Sequence, residues 1–167
     1  MAEQLDKSLV QGLVVCLCTP SCYDVGEGRY TWEIFAQRGH LKKLITLAEG
    51  ELQSSQAFVA FHPDDFIGAD AVVVDVQDVG SRYFEPTRCV FQLMRVLNGM
   101  GAEVPSLYIV DHLNPAGRIV EGSMPSASKG GAFPKTCHRH GMTLGELCYL
   151  YQNEINYKGP LQLISFW

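Results

Sequence analysis

The sequence predicts an α/β sandwich built on a mostly parallel sheet. Three unbroken apolar runs, at residues 13–17, 71–74 and 107–110, have the composition of strands that are buried on both faces. Stretches with helical spacing of apolar residues lie between these runs, so strand and helix alternate along the chain. Right-handed crossovers between parallel strands are therefore expected.

The remaining elements complete this pattern. Shorter apolar runs at 44–47 and 161–166 predict two further strands, and helices are predicted at 30–37, 63–67 and 86–100. A last helix begins at Thr143, where Glu146 three residues later completes a capping box. The capping box explains Glu146 by itself, so no chemistry is assigned to it.

Composition limits the function classes. The chain has 167 residues, 47% hydrophobic and 19% charged, which fits one globular domain over 1–167 and excludes a disordered tail, a collagen or a coiled coil. Its formal net charge is −5. Because nucleic-acid binding needs clustered Lys and Arg, and the sequence has no such cluster, no nucleic-acid partner is expected.

The amino end and the cysteines indicate a compartment. The first seven residues are polar and the apolar run that follows is too short to cross a bilayer, so we expect a cytoplasmic protein with reduced thiols and no membrane partner. The spacings of Cys16, Cys18 and Cys22, and of the CHRH segment at 137–140, lack the paired pattern of zinc sites. Buried strand and loop residues are the favoured interpretation, and no metal is assigned.

Two other chemistries lack their motifs. Neither a dinucleotide fingerprint nor a P-loop follows any predicted strand, so no nucleotide cofactor is inferred. No G-x-S-x-G elbow occurs and Cys89 lies within a predicted helix, which disfavours a Ser or Cys nucleophile.

Polar residues follow the predicted strands at their carboxyl ends. In a parallel sheet these ends share one edge, where ligands bind. The residues concerned are Glu49, Asp75, Gln77, Asp78, Asp111 and Asn114. Converging carboxylates can cleave a glycosidic bond, hold magnesium for phosphoryl chemistry or bind sugar hydroxyls. Each of these residues can instead cap a loop or a helix.

Two basic segments supply groups that can bind an anion. Gly80 permits a tight turn before Arg82, whose planar guanidinium suits a carboxylate or phosphate but can equally pair with Asp78. His138, Arg139 and His140 precede the helix that begins at Thr143, and this position favours an anion or a proton relay.

Four motifs, in order, resemble those of the NamZ-type exo-β-N-acetylmuramidases of bacterial peptidoglycan turnover. DVQDVGSR at 75–82 is similar to the family's D-[IV]-Q-D-[VI]-G-x-R, and DHLNP at 111–115 to D-R-P-N-P. VEG at 120–122 and RHGMTLGEL at 139–147 match V-E-G and R-H-G-M-T-x-G-E-L. The resemblance runs from about residue 13 to the end and implies a Rossmann-like catalytic domain.

The resemblance also implies roles. Glu49 corresponds to the family's catalytic acid, and a muropeptide or amino sugar is the implied ligand. Either Arg82 or Arg139 would take the lactyl carboxylate of muramic acid. The implied substrate-binding set is Asp75, Gln77, Asp78, Arg82, Asp111, Asn114, Glu121, Arg139 and His140.

The sequence departs from the family at informative positions. The histidine after the family's glutamate is Gly50 here, and the family's Arg and Pro are replaced by His112 and Leu113. The family continues into a second domain that walls the cleft, so we expect weak or absent catalysis unless a partner or a second copy of the chain, as in a homodimer, supplies that wall. A non-catalytic sugar- or anion-binding module is the main alternative. A magnesium-dependent phosphohydrolase using Asp75, Asp78 and Asp111 is a weaker one.

Overall fold

A computed structural model of the chain describes residues 12–24, 26, 28–47, 60–124 and 135–165. Its main sheet has five strands, all parallel. They are β1 (Val14–Cys18), β4 (Leu41–Thr46), β5 (Ala71–Asp75), β6 (Ser106–Asp111) and β7 (Leu161–Ser165), and a small antiparallel ribbon pairs β2 (Tyr23–Asp24) with β3 (Arg29–Tyr30). The predicted α/β fold with a parallel sheet is confirmed.

The central strands coincide with the unbroken apolar runs. Every residue of β1 and β5 is buried, as is all of β6 except its first residue, whereas the edge strands β4 and β7 are partly exposed. Burial on both faces requires apolar side chains at successive positions, which is why these strands do not alternate. The five predicted strands are thus all present, and their ends differ from the prediction by at most three residues.

Helices cover both faces of the sheet and make it the middle of three layers. On one face, Ile34 and Phe35 of α1 (Thr31–Gln37) pack against β1 and β5. On the other face, α2 (Glu85–Asn98) and α3 (Leu144–Ile155) bury the larger core. Within the described residues, no helix combines the length and the apolar character needed to cross a membrane.

The predicted helix at 63–67 is a shorter element. It forms one 3₁₀ turn, Pro63–Asp65, in which the Phe66 N–H donates to the Pro63 carbonyl at 2.9 Å. Gly68 then adopts a φ of 72°, which ends any helical continuation. Proline at the first helical position was a correct start signal, but the segment has too few residues for a stable α-helix.

The strand order β4-β1-β5-β6-β7 places a reversal beside β1. From β1 the chain runs through α1 to β4 on one side, and it then returns to form β5 on the other side of β1. In doubly wound sheets, the loops that leave the strands on the two sides of such a reversal diverge and open a crevice. The topology therefore marks the carboxyl ends of β1 and β5 as the position for a ligand.

Candidate active site

The strand-end carboxylates that the structure describes lie on one edge of the sheet, as predicted. Asp75 and Asp111 are the last residues of the neighbouring strands β5 and β6. The edge strand β4 ends at Thr46, which pairs with Cys18 of β1, and Cys18 pairs with Asp75. Glu49, the predicted catalytic acid, lies outside the described residues, three positions beyond the end of β4.

Asp111 serves the amino terminus of α3. Its Oδ1 accepts the backbone N–H of Gly145 at 2.7 Å, and its Oδ2 accepts the Thr143 hydroxyl at 3.0 Å. Burial raises the pKa of Asp111, while the bonds from Gly145 and Thr143 oppose that rise. Both oxygens are thus used within the protein, and the capping interpretation describes this residue.

Asp78 stabilises the turn that follows β5. Its Oδ1 accepts the Gly80 N–H at 2.6 Å, and its Oδ2 accepts the Thr87 hydroxyl at 2.5 Å. The Nε2 atom of His140 lies 3.2 Å from Oδ1, out of hydrogen-bonding alignment. Asp78 and His140, two of the predicted site residues, are both buried and therefore lie among the supporting loops.

Asn114 and Gln77 connect loops at this edge. Asn114 accepts the Ala116 N–H at 2.8 Å and donates to the Met142 carbonyl at 2.9 Å, which joins the loop after β6 to the loop before α3. Gln77 donates to the carbonyls of Asp78 and Leu113. Gln77 also borders a cavity. In Asn114, the amide oxygen and the amide nitrogen both bind backbone groups.

The carboxylates do not form a magnesium site. Asp75, Asp78 and Asp111 bind different partners. Among the described residues, one group of potential ligand atoms is close enough to share a metal ion, and of these three aspartates it contains only Asp75. Each of the three carboxylates accepts hydrogen bonds from its own nearby donors, and the three do not converge on one point. The weaker alternative, a phosphohydrolase, therefore loses its proposed ligand set.

Asp75 faces a small cavity at the strand reversal. Its Oδ1 accepts from Nε2 of His112 at 2.7 Å, and its Oδ2 accepts from the hydroxyl of Thr31, the first residue of α1. The cavity, which we call the switch-point cleft, has a volume of about 140 Å³. Its lining residues are Ser21, Cys22, Tyr23, Asp24, Asp75, Gln77 and His112.

His112 is a site residue that sequence reasoning missed. It entered only as a departure from a family motif, although it directly follows the strand-end residue Asp111. The position after a parallel strand was itself a signal, because such residues face the ligand edge. Its pairing with Asp75, 37 positions earlier, needed the register of β5 against β6.

Cys22 borders the same cleft but is a poor nucleophile. Burial and the charge of Asp75 raise the pKa of the Cys22 thiol to about 12. The thiolate is the reactive form, so this cysteine is largely protonated at neutral pH.

A larger cavity, the loop cleft, lies among the loops that follow β5 and β6. It has a volume of about 700 Å³ and is lined by Val79, Gly80, Ser81, Tyr83, Ala116, Glu121, Gly122, Ser123, His138 and Arg139. This volume lies within the range of about 300–1,000 Å³ that is typical of ligand pockets. Gln77 borders the switch-point cleft, and Val79, two positions later, borders the loop cleft.

Arg82 supports the loop cleft and does not pair with Asp78. Its guanidinium donates to the Thr136 carbonyl at 3.0 Å and to the Tyr83 hydroxyl at 3.2 Å. The Tyr83 hydroxyl lies 2.8 Å from Nδ1 of His138. His138, and not the predicted His140, is the histidine that lines this cleft.

Arg139 is held by an antiparallel bridge to Glu121. The two residues exchange backbone hydrogen bonds at 3.0 Å, and Nη1 of Arg139 donates to Oε2 of Glu121 at 2.9 Å. A second guanidinium nitrogen donates to the Ala116 carbonyl. The structure thus joins two predicted site residues from separate motifs on one wall, and their role toward a substrate stays a prediction.

Comparison with known proteins identifies the family. The family model for the N-terminal part of the exo-β-N-acetylmuramidase NamZ matches residues 56–167. This chain belongs to the NamZ N-terminal family. The matched segment contains every residue that lines the loop cleft, and it contains Asp75, Gln77 and His112 of the switch-point cleft. Ser21, Cys22, Tyr23 and Asp24 of the switch-point cleft, and Glu49, precede it.

Solved structures agree on the fold. Two crystal structures of DUF1343 family proteins from Bacteroides fragilis match with TM-scores of 0.76 and 0.69, each at 19% identity and each over 98% of this chain. The matched parts are 50% and 47% of those chains, so this chain spans about half of their length. A search of curated proteins gave no significant match. The Rossmann-like arrangement of this NamZ-family chain is therefore shared with larger proteins.

Proposed function

We propose that this NamZ-family chain is the catalytic-side domain of a glycosidase that releases terminal β-linked N-acetylmuramic acid. The observation that carries the proposal is the position of the family's acidic motif at the strand reversal. Asp75 from that motif lies at the switch-point cleft, on the edge of the sheet where β4 also ends. The last residue of β4, Thr46, precedes Glu49 by three positions in the sequence. Glycoside hydrolysis needs two carboxyl groups near one bond, and in this proposal Asp75 and Glu49 are those groups.

In this proposal, Glu49 is the general acid and Asp75 orients the sugar. Asp75 is held by Thr31 and His112, so its carboxylate is fixed before a ligand arrives. A fixed carboxylate can accept hydrogen bonds from sugar hydroxyl or N-acetyl groups without a further loss of side-chain conformational entropy. Gln77 on the same wall adds an amide.

The loop cleft accommodates the lactyl side of muramic acid. Its wall carries Arg139, and Arg82 lies behind it, held by Thr136 and Tyr83. A guanidinium is the preferred partner of a carboxylate because it can donate two parallel hydrogen bonds. Glu121 already takes one nitrogen of Arg139, so substrate must compete with this exposed ion pair or use the remaining donors.

The test is hydrolysis of a chromogenic β-N-acetylmuramic acid glycoside by the full chain. Native protein should release the chromophore, and Glu49→Gln should reduce the rate by about 100-fold or more, as loss of a general acid does. Glu103→Gln is the matched control, because Glu103 is exposed in the 3₁₀ turn Gly101–Glu103 before β6. Folded native protein without turnover, or equal rates for native and Glu49→Gln, would contradict the proposal.

A sugar-binding module without hydrolysis is the second candidate. The size of the switch-point cleft favours it, since about 140 Å³ is below the usual range for a ligand pocket and does not enclose a whole sugar. This candidate predicts that N-acetylmuramic acid raises the melting temperature while the chromogenic glycoside stays intact. Hydrolysis that depends on Glu49 would exclude it.

A further inference from the structure

Three potential metal ligands from separate segments meet in the switch-point cleft. Cys22 follows β1, Asp75 ends β5 and His112 follows β6, and one ligand atom from each lies within 4.8 Å of the other two. We propose that Cys22, Asp75 and His112 bind a zinc-type divalent transition-metal ion. This site does not depend on the glycosidase proposal, since it is argued from donor chemistry and geometry alone.

The donor set selects the class of ion. A thiolate, an imidazole and a carboxylate together suit zinc and similar borderline ions, whereas magnesium and calcium prefer oxygen donors only. Charge also favours a divalent ion. Binding of the ion displaces the Cys22 proton to solvent. The resulting thiolate and the Asp75 carboxylate then neutralise two positive charges, so the occupied cluster has no net charge in a buried place.

The distances require only a small adjustment. With metal–ligand bonds of about 2.0–2.3 Å, ligand atoms of a tetrahedral site lie roughly 3.3–3.8 Å apart. Nε2 of His112 is 2.7 Å from Oδ1 of Asp75, and the greatest separation in the group is within 4.8 Å. A tetrahedral site would need the distance between His112 and Asp75 to lengthen and the longest ligand–ligand distance to shorten, each by less than roughly 1.5 Å. Side-chain movement alone would be enough.

Outer residues already orient two of the ligands. The buried hydroxyl of Thr31 donates to Oδ2 of Asp75, and Oγ1 of Thr19, also buried, lies 3.2 Å from Sγ of Cys22. Hydrogen bonds of this kind fix the direction of metal ligands and are a regular part of metal sites. They leave Oδ1 of Asp75 directed toward His112, where the ion would lie.

The fourth position opens on the cleft. The three ligands form part of the wall of the 140 Å³ cavity, together with Ser21, Asp24 and Gln77. This volume holds several water molecules and has polar partners for them. Three protein ligands and one open position are the arrangement in which zinc binds a water or a ligand oxygen.

The test is cobalt binding by the full chain, after treatment with a chelator and under reducing conditions. Native protein should bind about one Co²⁺ per chain and show both thiolate-to-cobalt charge transfer in the near ultraviolet and tetrahedral d–d bands. Added Zn²⁺ should abolish both signals. Cys22→Ser should remove the charge-transfer band, and His112→Ala should weaken cobalt affinity at least about tenfold.

Matched controls separate this site from the other thiols and imidazoles. Cys137→Ser and His62→Ala remove a partly exposed cysteine and an exposed histidine elsewhere, and both should keep the native spectrum and affinity. No thiolate band in native protein would overturn the proposal, whatever the variants do. A band that survives Cys22→Ser, or one that is lost in Cys137→Ser, would also overturn it. Because none of these readouts measures glycoside hydrolysis, the two proposals can fail separately.

Discussion

The carboxyl ends of β5 and β6 are similar in sequence, but their terminal carboxylates have different hydrogen-bond partners. Each strand closes on a buried aspartate, Asp75 or Asp111, and the two strands are neighbours in the sheet. The Asp111 carboxylate accepts a backbone N–H from α3, while the Asp75 carboxylate accepts from the side chains of Thr31 and His112. Asp75 borders the switch-point cleft.

The difference follows from what approaches each carboxylate. The amino terminus of α3 brings backbone N–H groups that need acceptors, and Asp111 is the nearest one. Gly145 allows this approach, because a Cβ there would lie 2.8 Å from Cγ of Asp111. At Asp75 the first residue of α1 brings a hydroxyl instead, so the carboxylate stays at the edge of an open crevice.

The largest expected effect is on stability, from Asp111→Ala. This change leaves the Gly145 N–H without its acceptor and removes one bond of the Thr143 hydroxyl, both in buried positions. An unpaired buried polar group costs about 1–3 kcal/mol, so we expect about 3 kcal/mol in total. Urea unfolding measures this loss directly.

The matched variant, Asp75→Ala, should cost about 1 kcal/mol, because water in the switch-point cleft can satisfy the groups that it leaves. The contrast between the two strand ends requires Asp111→Ala to lose more unfolding free energy than Asp75→Ala. Equal losses for the two variants, or a larger loss for Asp75→Ala, would show that Asp75 is also a structural residue.

The smallest expected effect concerns the charge at the start of α3. Ion pairing with Arg118 lowers the pKa of Glu146, and its backbone bond from Thr143 lowers it further. A lowered pKa stabilises the folded state above the ordinary value of 4.5, and the benefit disappears as the pH falls through the lowered value. Because this pair is exposed, Glu146→Gln should cost only about 0.5 kcal/mol at neutral pH.

The check is the difference in unfolding free energy between native and Glu146→Gln protein, followed from neutral to acidic pH. Gln keeps an oxygen that can accept from Thr143, so the variant isolates the charge. The difference should shrink on acidification. A difference that grows as the pH falls would contradict the assignment.

The fold was largely predictable from the sequence. Central strands must be apolar on both faces, so the runs at 71–74 and 107–110 located β5 and β6. The capping box at Thr143 and Glu146 located the start of α3, because its pattern is local. Local patterns failed at 63–67, where five residues cannot sustain an α-helix.

The site was less predictable, since it depends on contacts between distant segments. The strand ends indicated the correct edge of the sheet, but they did not separate Asp75 from Asp111. That distinction depends on where α1 and α3 begin in space. In the same way, the sequence favoured His140, which the structure places in the interior beside Asp78, while His138 lines the loop cleft.

The most direct measurement is an NMR titration of the native chain with N-acetylmuramic acid, followed through backbone amide shifts. Our account predicts concentration-dependent shifts at Cys22, Gln77 and His112, which border the switch-point cleft. The amides of Gly145 and Glu146 at the start of α3 should stay unchanged. No shifts around the cleft, or shifts centred on α3, would contradict the assignment of the β5 end as the sugar-binding edge.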